Sequence, residues 1–386
     1  MRTPAFAAIA ARTDLGCLTP ASQRPVPAAV PWLAKSHAIS FVALCMAASL
    51  LPSAADAQFI CSQYGGAGLG GDAIASGSLS VACGASASAL NTAASAFGAQ
   101  ALALGANSSA FGNLALGRGD NASALGAAAQ AQAGNATAVG ASAGAWQANG
   151  ATFGAGALSD AINGTAIGTA AQATATNATA LGSSSFAQGI NATALGYTSQ
   201  ATGDNSTAVG RGARASQANA AAFGGAARAS AAQATALGSS AMASATSAVA
   251  VGASSTAEAN DAIAIGGNTR AAGQASVAVG QGATSGFANA AAFGAGAATI
   301  RANQQAFGTA TSTYTFAGVS SASSTAAQSG GVALVTTDMA GNIASDGGAT
   351  FARIATTESA IAGVDRRVST VEGRVATNTQ DIATNR

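Results

Sequence analysis

Few residues of this chain have side chains that could carry out acid–base or nucleophilic chemistry. The 386 residues include one histidine, His37, and one lysine, Lys35, both near the N-terminus. The rest of the chain therefore has no imidazole base for a serine or cysteine nucleophile and no histidine to bind a metal. Only 8% of the residues are charged, and a formal net charge of +1 provides no basic patch for nucleic acid. We predict a non-enzymatic protein without catalytic residues, metal site or cofactor.

The carboxylates define the main enzymatic alternative, a polysaccharide-active β-solenoid. Such an enzyme needs carboxylates clustered across adjacent coils. A second alternative, an ice-binding solenoid, needs an outward ladder of threonines, whereas we expect threonine here to share a face with the enclosed apolar residues. Both alternatives are therefore disfavoured. The acids of the repeat region mostly lie tens of residues apart: Asp72, Asp120, Asp160, Asp204, Glu258 and Asp261.

Several polar and aromatic residues could contact a ligand instead. Arg214 and Arg228 are one repeat apart and should stack, where they would either bind an anion or keep the protein soluble. Tyr197 and Trp146 are isolated candidates for ligand contacts. Asn-x-Ser/Thr sequons are read either as glycosylation sites or, as we favour, as turn residues of the repeat. These sequons begin at Asn107, Asn121, Asn135, Asn163, Asn177, Asn191 and Asn205.

The N-terminal segment has the features of a signal peptide. Residues 39–51 are apolar or small, Lys35 precedes them, and Ala55 and Ala57 form a small-residue cleavage pattern before Gln58. Thirteen residues are too few to span a bilayer, which takes about 20. The alternative is a buried helix. We predict that residues 1–57 form a signal peptide with a long N-terminal region and that the protein is exported.

The mature chain retains two cysteines, Cys61 and Cys83. In an oxidising, exported setting these two residues could form a disulfide bond. The alternative is that Cys83 fills an apolar position of the repeat, as its place in the repeat also permits.

A glycine recurs every 14 residues without insertion, and this repeat dominates the chain. The residue before each repeat glycine is always apolar, alanine stands two before in sixteen of eighteen copies, and asparagine stands five before in eleven. We expect the glycines to turn the chain with a positive φ angle. The repeat glycines are Gly70, Gly84, Gly98, Gly112, Gly126, Gly140, Gly154, Gly168, Gly182, Gly196, Gly210, Gly224, Gly238, Gly252, Gly266, Gly280, Gly294 and Gly308.

Each 14-residue unit predicts two short strands and two turns, which form one coil of a parallel β-solenoid over residues 58–314. In a unit such as Asn177–Gly182, period-2 alternation places Thr179 and Leu181 on one face and Ala180 on the other. We expect the larger apolar residue to lie inside the coil. The uniform alanine face would then pack against another chain, so the solenoid should be an oligomer.

The 14-residue period stops after Gly308. Residues 315–349 are predicted to form a linker or neck, with a strand, a turn and a strand over 332–346. From residue 350 apolar residues recur every seven positions, which predicts an α-helical coiled coil over 350–386; a lone amphipathic helix is the alternative. The heptad positions are Ile354, Ile361, Val368, Val375 and Ile382 at a, and Thr357, Val364, Val371, Asn378 and Asn385 at d.

These two halves resemble the trimeric autotransporter adhesins with YadA-like head repeats, also called Hep/Hag repeats. The head units NATALG at 177–182, NATAVG at 135–140 and NSTAVG at 205–210 carry the resemblance, as do Val375, Asn378, Thr379 and Ile382 in the stalk pattern. The resemblance implies a left-handed β-roll and a homotrimer with a trimeric coiled coil. It also implies adhesion at a Gram-negative cell surface to extracellular matrix, host cells or abiotic surfaces.

Two further expectations follow from this resemblance. In that family an asparagine layer in the stalk binds an anion such as chloride on the trimer axis, which assigns this role to Asn378. An outer-membrane anchor follows the stalk in that family, whereas this sequence ends at Arg386 within the coil. We expect attachment to the outer membrane if an anchor is supplied, and secretion otherwise.

Overall fold

The computed structural model describes residues 59–61, 73–329 and 332–386. The predicted signal peptide lies outside these residues. The chain divides into two compact units at residue 310.

The first unit is a parallel β-solenoid, as the 14-residue repeat predicted. Each coil contributes one strand to each of two parallel sheets, and strands pair with the equivalent strand one repeat away, as Thr179 with Thr193 and Leu181 with Leu195. Neighbouring coils are therefore about 4.8 Å apart.

In the described residues, sheet 1 has eighteen three-residue strands: Phe59–Cys61, Val81–Cys83, Ser95–Phe97, Ser109–Phe111, Ser123–Leu125, Thr137–Val139, Ala151–Phe153, Thr165–Ile167, Thr179–Leu181, Thr193–Leu195, Thr207–Val209, Ala221–Phe223, Thr235–Leu237, Val249–Val251, Ile263–Ile265, Val277–Val279, Ala291–Phe293 and Gln305–Phe307. Sheet 2 has sixteen two-residue strands: Ile74–Ala75, Ser88–Ala89, Leu102–Ala103, Leu116–Gly117, Gln130–Ala131, Gly144–Ala145, Leu158–Ser159, Gln172–Ala173, Phe186–Ala187, Gln200–Ala201, Arg214–Ala215, Arg228–Ala229, Met242–Ala243, Thr256–Ala257, Arg270–Ala271 and Thr284–Ser285.

Two tight turns join the strands of each coil. The amide of Ala171 donates to the carbonyl of Gly168 at 3.1 Å, and the amide of Ala178 donates to that of Ala175 at 3.0 Å. The third residue of each turn has a positive φ, 56° at Ala170 and 59° at Asn177. A turn of this kind requires a left-handed residue there, and asparagine tolerates that conformation well.

The core of the solenoid is built from alanine, serine and threonine. Four positions in each coil point inward, for example Ser185, Ala187, Ala192 and Ala194, and each of these is at most 1% exposed. Thr152 and Thr269 are the bulkiest fully buried side chains among the described residues. The two sheets are therefore too close together to enclose a leucine or a phenylalanine.

The prediction of which face lies inside was wrong. Leu181, expected in the interior, is 40% exposed, whereas Ala180, expected to face another chain, is fully buried. The same holds along the solenoid, because none of the apolar residues before the repeat glycines from Cys83 to Phe307 is buried. Alternation establishes that two residues share a face, and the narrow coil then admits only the face with the smaller side chains.

The second unit, from residue 311, contains two helices and a hairpin. Helix α1 is Ala322–Ala327, and helix α2 is Ala349–Thr384. The predicted strand–turn–strand is confirmed, because Val335–Thr337 pairs antiparallel with Ile343–Ser345. Helix α1 was missed, since its serines and alanines read as linker. Its N-terminus is capped by the Ser321 hydroxyl, which accepts from the amide of Ser324 at 3.1 Å.

Candidate interaction surface

The outer face of sheet 1 carries a continuous apolar ridge. We define this ridge as the side chains immediately before the repeat glycines: Phe97, Phe111, Leu125, Val139, Phe153, Ile167, Leu181, Leu195, Val209, Phe223, Leu237, Val251, Ile265, Val279, Phe293 and Phe307. Each ridge residue stacks on its equivalent one coil away, so the ridge extends for about 70 Å at the spacing of adjacent strands.

The ridge residues contact one another and also face outward. The rings of Phe97 and Phe111 stack with centroids 4.8 Å apart, and those of Phe293 and Phe307 with centroids 5.3 Å apart. Leu125 and Leu237 are 51% and 48% exposed in the single chain. A contiguous apolar surface of this extent is typical of a site that binds another protein.

The ridge could have been found in the sequence by comparing side-chain volumes. The four inward positions of each coil hold mostly alanine and serine, whereas the ridge position takes residues from valine to phenylalanine. A close-packed interior tolerates little variation in volume. The column that varies in size is therefore the one that lies outside.

A half-buried column flanks the ridge two residues earlier, with threonine in many coils, as at Thr179 and Thr193. We had placed this threonine in the interior and disfavoured ice binding for that reason. The placement was wrong, because the threonine faces outward. The outward pair is nevertheless one threonine and one larger apolar residue, Thr179 and Leu181, which is not the double threonine ladder of an ice-binding solenoid.

The predicted repeat glycines lie at the turn that follows each ridge residue. From Gly126 to Gly280 these twelve glycines have φ angles between 125° and 140°. A Cβ atom added to any of them would come within 2.5–2.8 Å of the backbone of the next repeat glycine. Conformation and stacking both require glycine here. The twelve are Gly126, Gly140, Gly154, Gly168, Gly182, Gly196, Gly210, Gly224, Gly238, Gly252, Gly266 and Gly280.

The seven sequon asparagines and Asn149 form a ladder at the opposite turn. Eight asparagines, one in each coil from Asn107 to Asn205, have φ angles of 55–59°. The side-chain amide of each of the first seven donates to the side-chain oxygen of the next at 2.9–3.3 Å. The side chains thus serve the turn and link adjacent coils, and the amide nitrogens that glycosylation would modify are hydrogen-bonded in six of the seven sequons, all except that of Asn205.

The other candidates lie apart from the ridge. Arg214 and Arg228 pair in register on the outer face of sheet 2. Trp146, 43% exposed, lies on the same face, where its Nε1 would be 2.7 Å from a Cβ on Gly144, so that glycine makes room for the indole. Tyr197 is 56% exposed in a turn.

The strand register bears on the two cysteines. Cys83 is disulfide-bonded. Cys61 is its register partner in the neighbouring strand of sheet 1. Adjacent strands bring Cα atoms within the range that a disulfide spans. The pairing of Cys61 with Cys83 stays a prediction.

Helix α2 carries the predicted heptad seam with no residue buried. Ile361 and Ile382 at a positions are 62% and 61% exposed, and Val364 at a d position is 57% exposed. Asn378, assigned to the anion layer, is also exposed on this helix. Helix α2 therefore has an apolar seam that its own unit does not cover.

Asp346 organises the start of helix α2, a role that the sequence had not indicated. Its carboxylate accepts from the amides of Thr350 and Gly348, both at 2.9 Å, and from that of Leu334 at 3.0 Å. Hydrogen bonds from the Thr350 side chain, the Thr350 amide and the Gly348 amide hold the pKa of Asp346 well below its usual range.

Two further observations concern metals and membranes. In the part of the chain that the structure describes, no three histidine, cysteine or acidic side chains cluster closely enough to hold a metal ion. None of the helices described in the structure combines the length and the apolarity that crossing a bilayer demands.

Comparison with known proteins finds a similarity that is confined to the solenoid repeats. Five segments match the profile of the YadA head domain repeat, residues 89–115, 118–143, 159–185, 187–213 and 243–269. The chain is also similar to a solved structure, the collagen-binding domain of the Yersinia adhesin YadA, with 26% sequence identity and a TM-score of 0.26. That similarity covers 42% of this chain and 74% of the other chain. No curated protein matches the sequence significantly.

Proposed function

We propose that this chain is a YadA-like trimeric autotransporter adhesin, non-enzymatic and exported to a bacterial cell surface. The match of five solenoid segments to the YadA head repeat carries the proposal. The low density of acid–base side chains supports the absence of enzymatic activity, since His37 and Lys35 both precede the solenoid.

The proposed mechanism of adhesion is multivalent. Each coil presents nearly the same outer positions as its neighbours, so a repeating ligand can contact many coils at once. Linked weak contacts raise the overall affinity far above that of one contact. We propose extracellular matrix, host cells or abiotic surfaces as partners, and we assign binding to the outer faces rather than to a single residue.

The adhesin is proposed to be a homotrimer in which the ridge is the main interface. A second and a third copy would cover Leu181, Leu195 and the other ridge residues, and the burial of this apolar surface would stabilise the assembly. The exposed seam of helix α2 supports the same assembly, because a coiled coil buries its a and d positions. In that trimer Asn378 would face the axis and could hold an anion such as chloride.

A comparison of two double variants tests the assembly. We expect Leu181→Glu with Leu195→Glu to dissociate the trimer or to weaken its assembly strongly, because the two glutamates of each chain would bury unpaired carboxylates at the interface of all three chains. The matched control is Gln172→Glu with Gln188→Glu, which adds the same charge to an exposed position in a strand of sheet 2 and to an exposed position just after another strand of that sheet. Light scattering of the purified chain would measure the mass of each variant.

Adhesion itself is tested with the assembled protein on immobilised collagen, cultured cells and bare glass. We expect the wild-type chain and the Gln172/Gln188 control variant to bind at least one of these surfaces. The Leu181/Leu195 ridge variant should bind with lower avidity. A monomeric wild-type chain, or a ridge variant that assembles normally, would contradict the trimer. A well-assembled wild-type protein that binds none of the surfaces would contradict the adhesin function.

A further inference from the structure

A trough runs along the outer face of sheet 2 over four successive coils. One wall is a column of small turn residues, and the other is a column of longer strand residues. The trough exists because glycine, alanine and serine stand beside long side chains. The residues that line it are Gly212, Ala226, Ser240 and Ser254 on one side, and Arg214, Arg228, Met242 and Thr256 on the other.

Strand register determines the order of the side chains along the trough. Arg214 pairs with Arg228, Arg228 with Met242, and Met242 with Thr256. In each strand the following residue points inward, as Ala215 and Ala229 do, so the arginines face outward. The two guanidinium groups therefore arise from adjacent coils about 4.8 Å apart.

The two arginines carry charge that nothing in the described residues neutralises. Neither Arg214 nor Arg228 forms a hydrogen bond through its side chain or an ion pair with a described residue. Arg270 occupies the same column three coils beyond Arg228 and differs in this respect. It binds the carboxylate of Glu258 through two hydrogen bonds of 2.9 and 2.6 Å.

Like charges directly opposite each other on neighbouring strands repel. An anion bound between Arg214 and Arg228 would relieve that repulsion, and a guanidinium group is suited to bidentate contact with a carboxylate or a sulfate. The adjoining hydroxyl groups of Ser240 and Ser254 can donate to and accept from the hydroxyl groups of a sugar, and that of Thr256, which donates to the carbonyl of Thr269 at 3.5 Å, can accept.

We propose that the trough binds a linear polysaccharide that carries carboxylate or sulfate groups. The acidic groups would contact Arg214 and Arg228, and the chain would lie parallel to the solenoid axis along Ser240 and Ser254. The proposal deepens the proposed adhesin function by naming a ligand class for one face. It does not need the ridge, which lies on sheet 1.

The composition of the trough favours a polysaccharide over a nucleic acid or an acidic peptide. Single-stranded nucleic acids are bound with aromatic platforms on which the bases stack, and no aromatic residue lines the trough. A straight, shallow, hydroxyl-lined trough offers no deep pocket for the side chains of a peptide.

The test compares the full-length chain with two double variants of equal net charge. Arg214→Gln with Arg228→Gln removes the free arginines, and Arg118→Gln with Arg270→Gln removes two arginines outside the trough. Fluorescence anisotropy would measure binding to labelled heparin and chondroitin sulfate, to the carboxylate polymers hyaluronan and polygalacturonate, and to neutral dextran. Circular dichroism would verify that each variant is folded.

We expect the wild-type chain and the Arg118/Arg270 variant to bind at least one acidic polymer, with an affinity that falls as salt is raised. The Arg214/Arg228 variant should bind at least about tenfold more weakly, because it loses two charge-assisted contacts. Preference for the sulfated polymers would indicate a sulfated glycan as the source, and equal binding of the carboxylate polymers would indicate a uronic-acid polymer.

Three results would overturn the proposal. The first is that the Arg214/Arg228 variant binds the acidic polymers as tightly as the wild-type chain does. The second is that the wild-type chain binds dextran as tightly as the acidic polymers. The third is that it binds single-stranded DNA or polyglutamate more tightly than any polysaccharide. Failure of all acidic polymers to bind would also overturn it. If the same protein still adhered to collagen, cells or glass, the adhesin function would stand.

Discussion

At the scale of single residues, two of the positions that hold the backbone of each coil at a positive φ can be compared, the repeat glycine and the turn asparagine. A side chain on the repeat glycine would overlap the backbone of the next coil. The turn asparagine faces outward, and its side chain forms hydrogen bonds with the equivalent asparagines of adjacent coils. Gly224 has a φ of 129° and Asn163 a φ of 57°. The first position therefore depends on the lack of a side chain, and the second depends on a particular side chain.

Two adjacent glycines allow the first position to be tested. We expect Gly224→Ala to lower the free energy of unfolding by about 1–3 kcal/mol, because an alanine would be strained and its Cβ would lie 2.5 Å from the carbonyl oxygen of Gly238. Gly225→Ala is the matched control, since nothing lies within 4 Å of its Cβ. Urea denaturation followed by circular dichroism would compare them. Equal stability of the two variants would show that neither strain nor contact matters at the repeat glycine.

The asparagine ladder provides a second comparison between equivalent residues. Asn163 accepts from Asn149 and donates to Asn177, both at 2.9 Å. Asn219 has nearly the same φ, 58°, and no hydrogen bond is formed by its side chain within the described residues. We expect Asn163→Ala to be about 1 kcal/mol more destabilising than Asn219→Ala, because these exposed hydrogen bonds lie at the weaker end of their range. Thermal unfolding would measure it, and no difference would mean that the ladder adds nothing to stability.

At the scale of elements, periodicity predicted which segments form strands and turns but not which face is buried. The spacing of Thr179 and Leu181 is the same whether the pair lies inside or outside. The size of the interior decides, and that depends on the distance between two sheets, which no single strand reveals. Ala180 and Ala187 are fully buried in that space, whereas Leu181 is 40% exposed.

For the arginine pair, the sequence likewise predicted the register but not the shape of the surface beside it. Spacing alone predicted that Arg214 and Arg228 stack, because they stand one repeat apart, and the register confirms it. The trough beside them was not predictable in this way. It depends on Gly212 and Ala226, which belong to a different column. Their sequence indicates only turn residues, and the trough follows from the position of that column beside the arginines.

The start of helix α2 gives a prediction that depends on pH. Because the pKa of Asp346 is lowered in the folded chain, its contribution to stability is complete above the usual value of about 3.9 and declines as the pH falls from there towards the folded value. We expect Asp346→Asn to increase hydrogen exchange at Gly348 and Thr350 at pH 7, since the amide accepts more weakly than the carboxylate.

The control for Asp346 is Asp365→Asn, an exposed acid on the same helix with no hydrogen bond from its side chain to any described residue. Exchange measured by mass spectrometry on peptides that cover 332–350 should change only in the Asp346 variant. The difference between wild type and this variant should shrink as the pH is lowered below about 4. A difference that grows on acidification would contradict the assigned sign.

At the scale of the whole molecule, the solenoid unit is a stack in which each coil contacts the coils before and after it. Its stability should then be close to a sum over coils and the interfaces between them. Length can change without loss of the fold if whole coils are removed. The ridge and the asparagine ladder also stay continuous, because every coil contributes one residue to each column.

Deletion in and out of phase tests this view. Removal of residues 169–210 takes out three coils and joins Gly168 to Arg211, so every column stays in register. We expect a folded solenoid that is shorter by about 14 Å in electron micrographs. Removal of residues 169–203 takes out fewer residues but two and a half coils, which leaves one coil without its strand in sheet 2. The smaller deletion should therefore be the more damaging, with several kcal/mol lost and a Tm lower by on the order of 10 °C. A chain that tolerates the half-coil deletion as well as the whole-coil deletion would not be stabilised by register between coils.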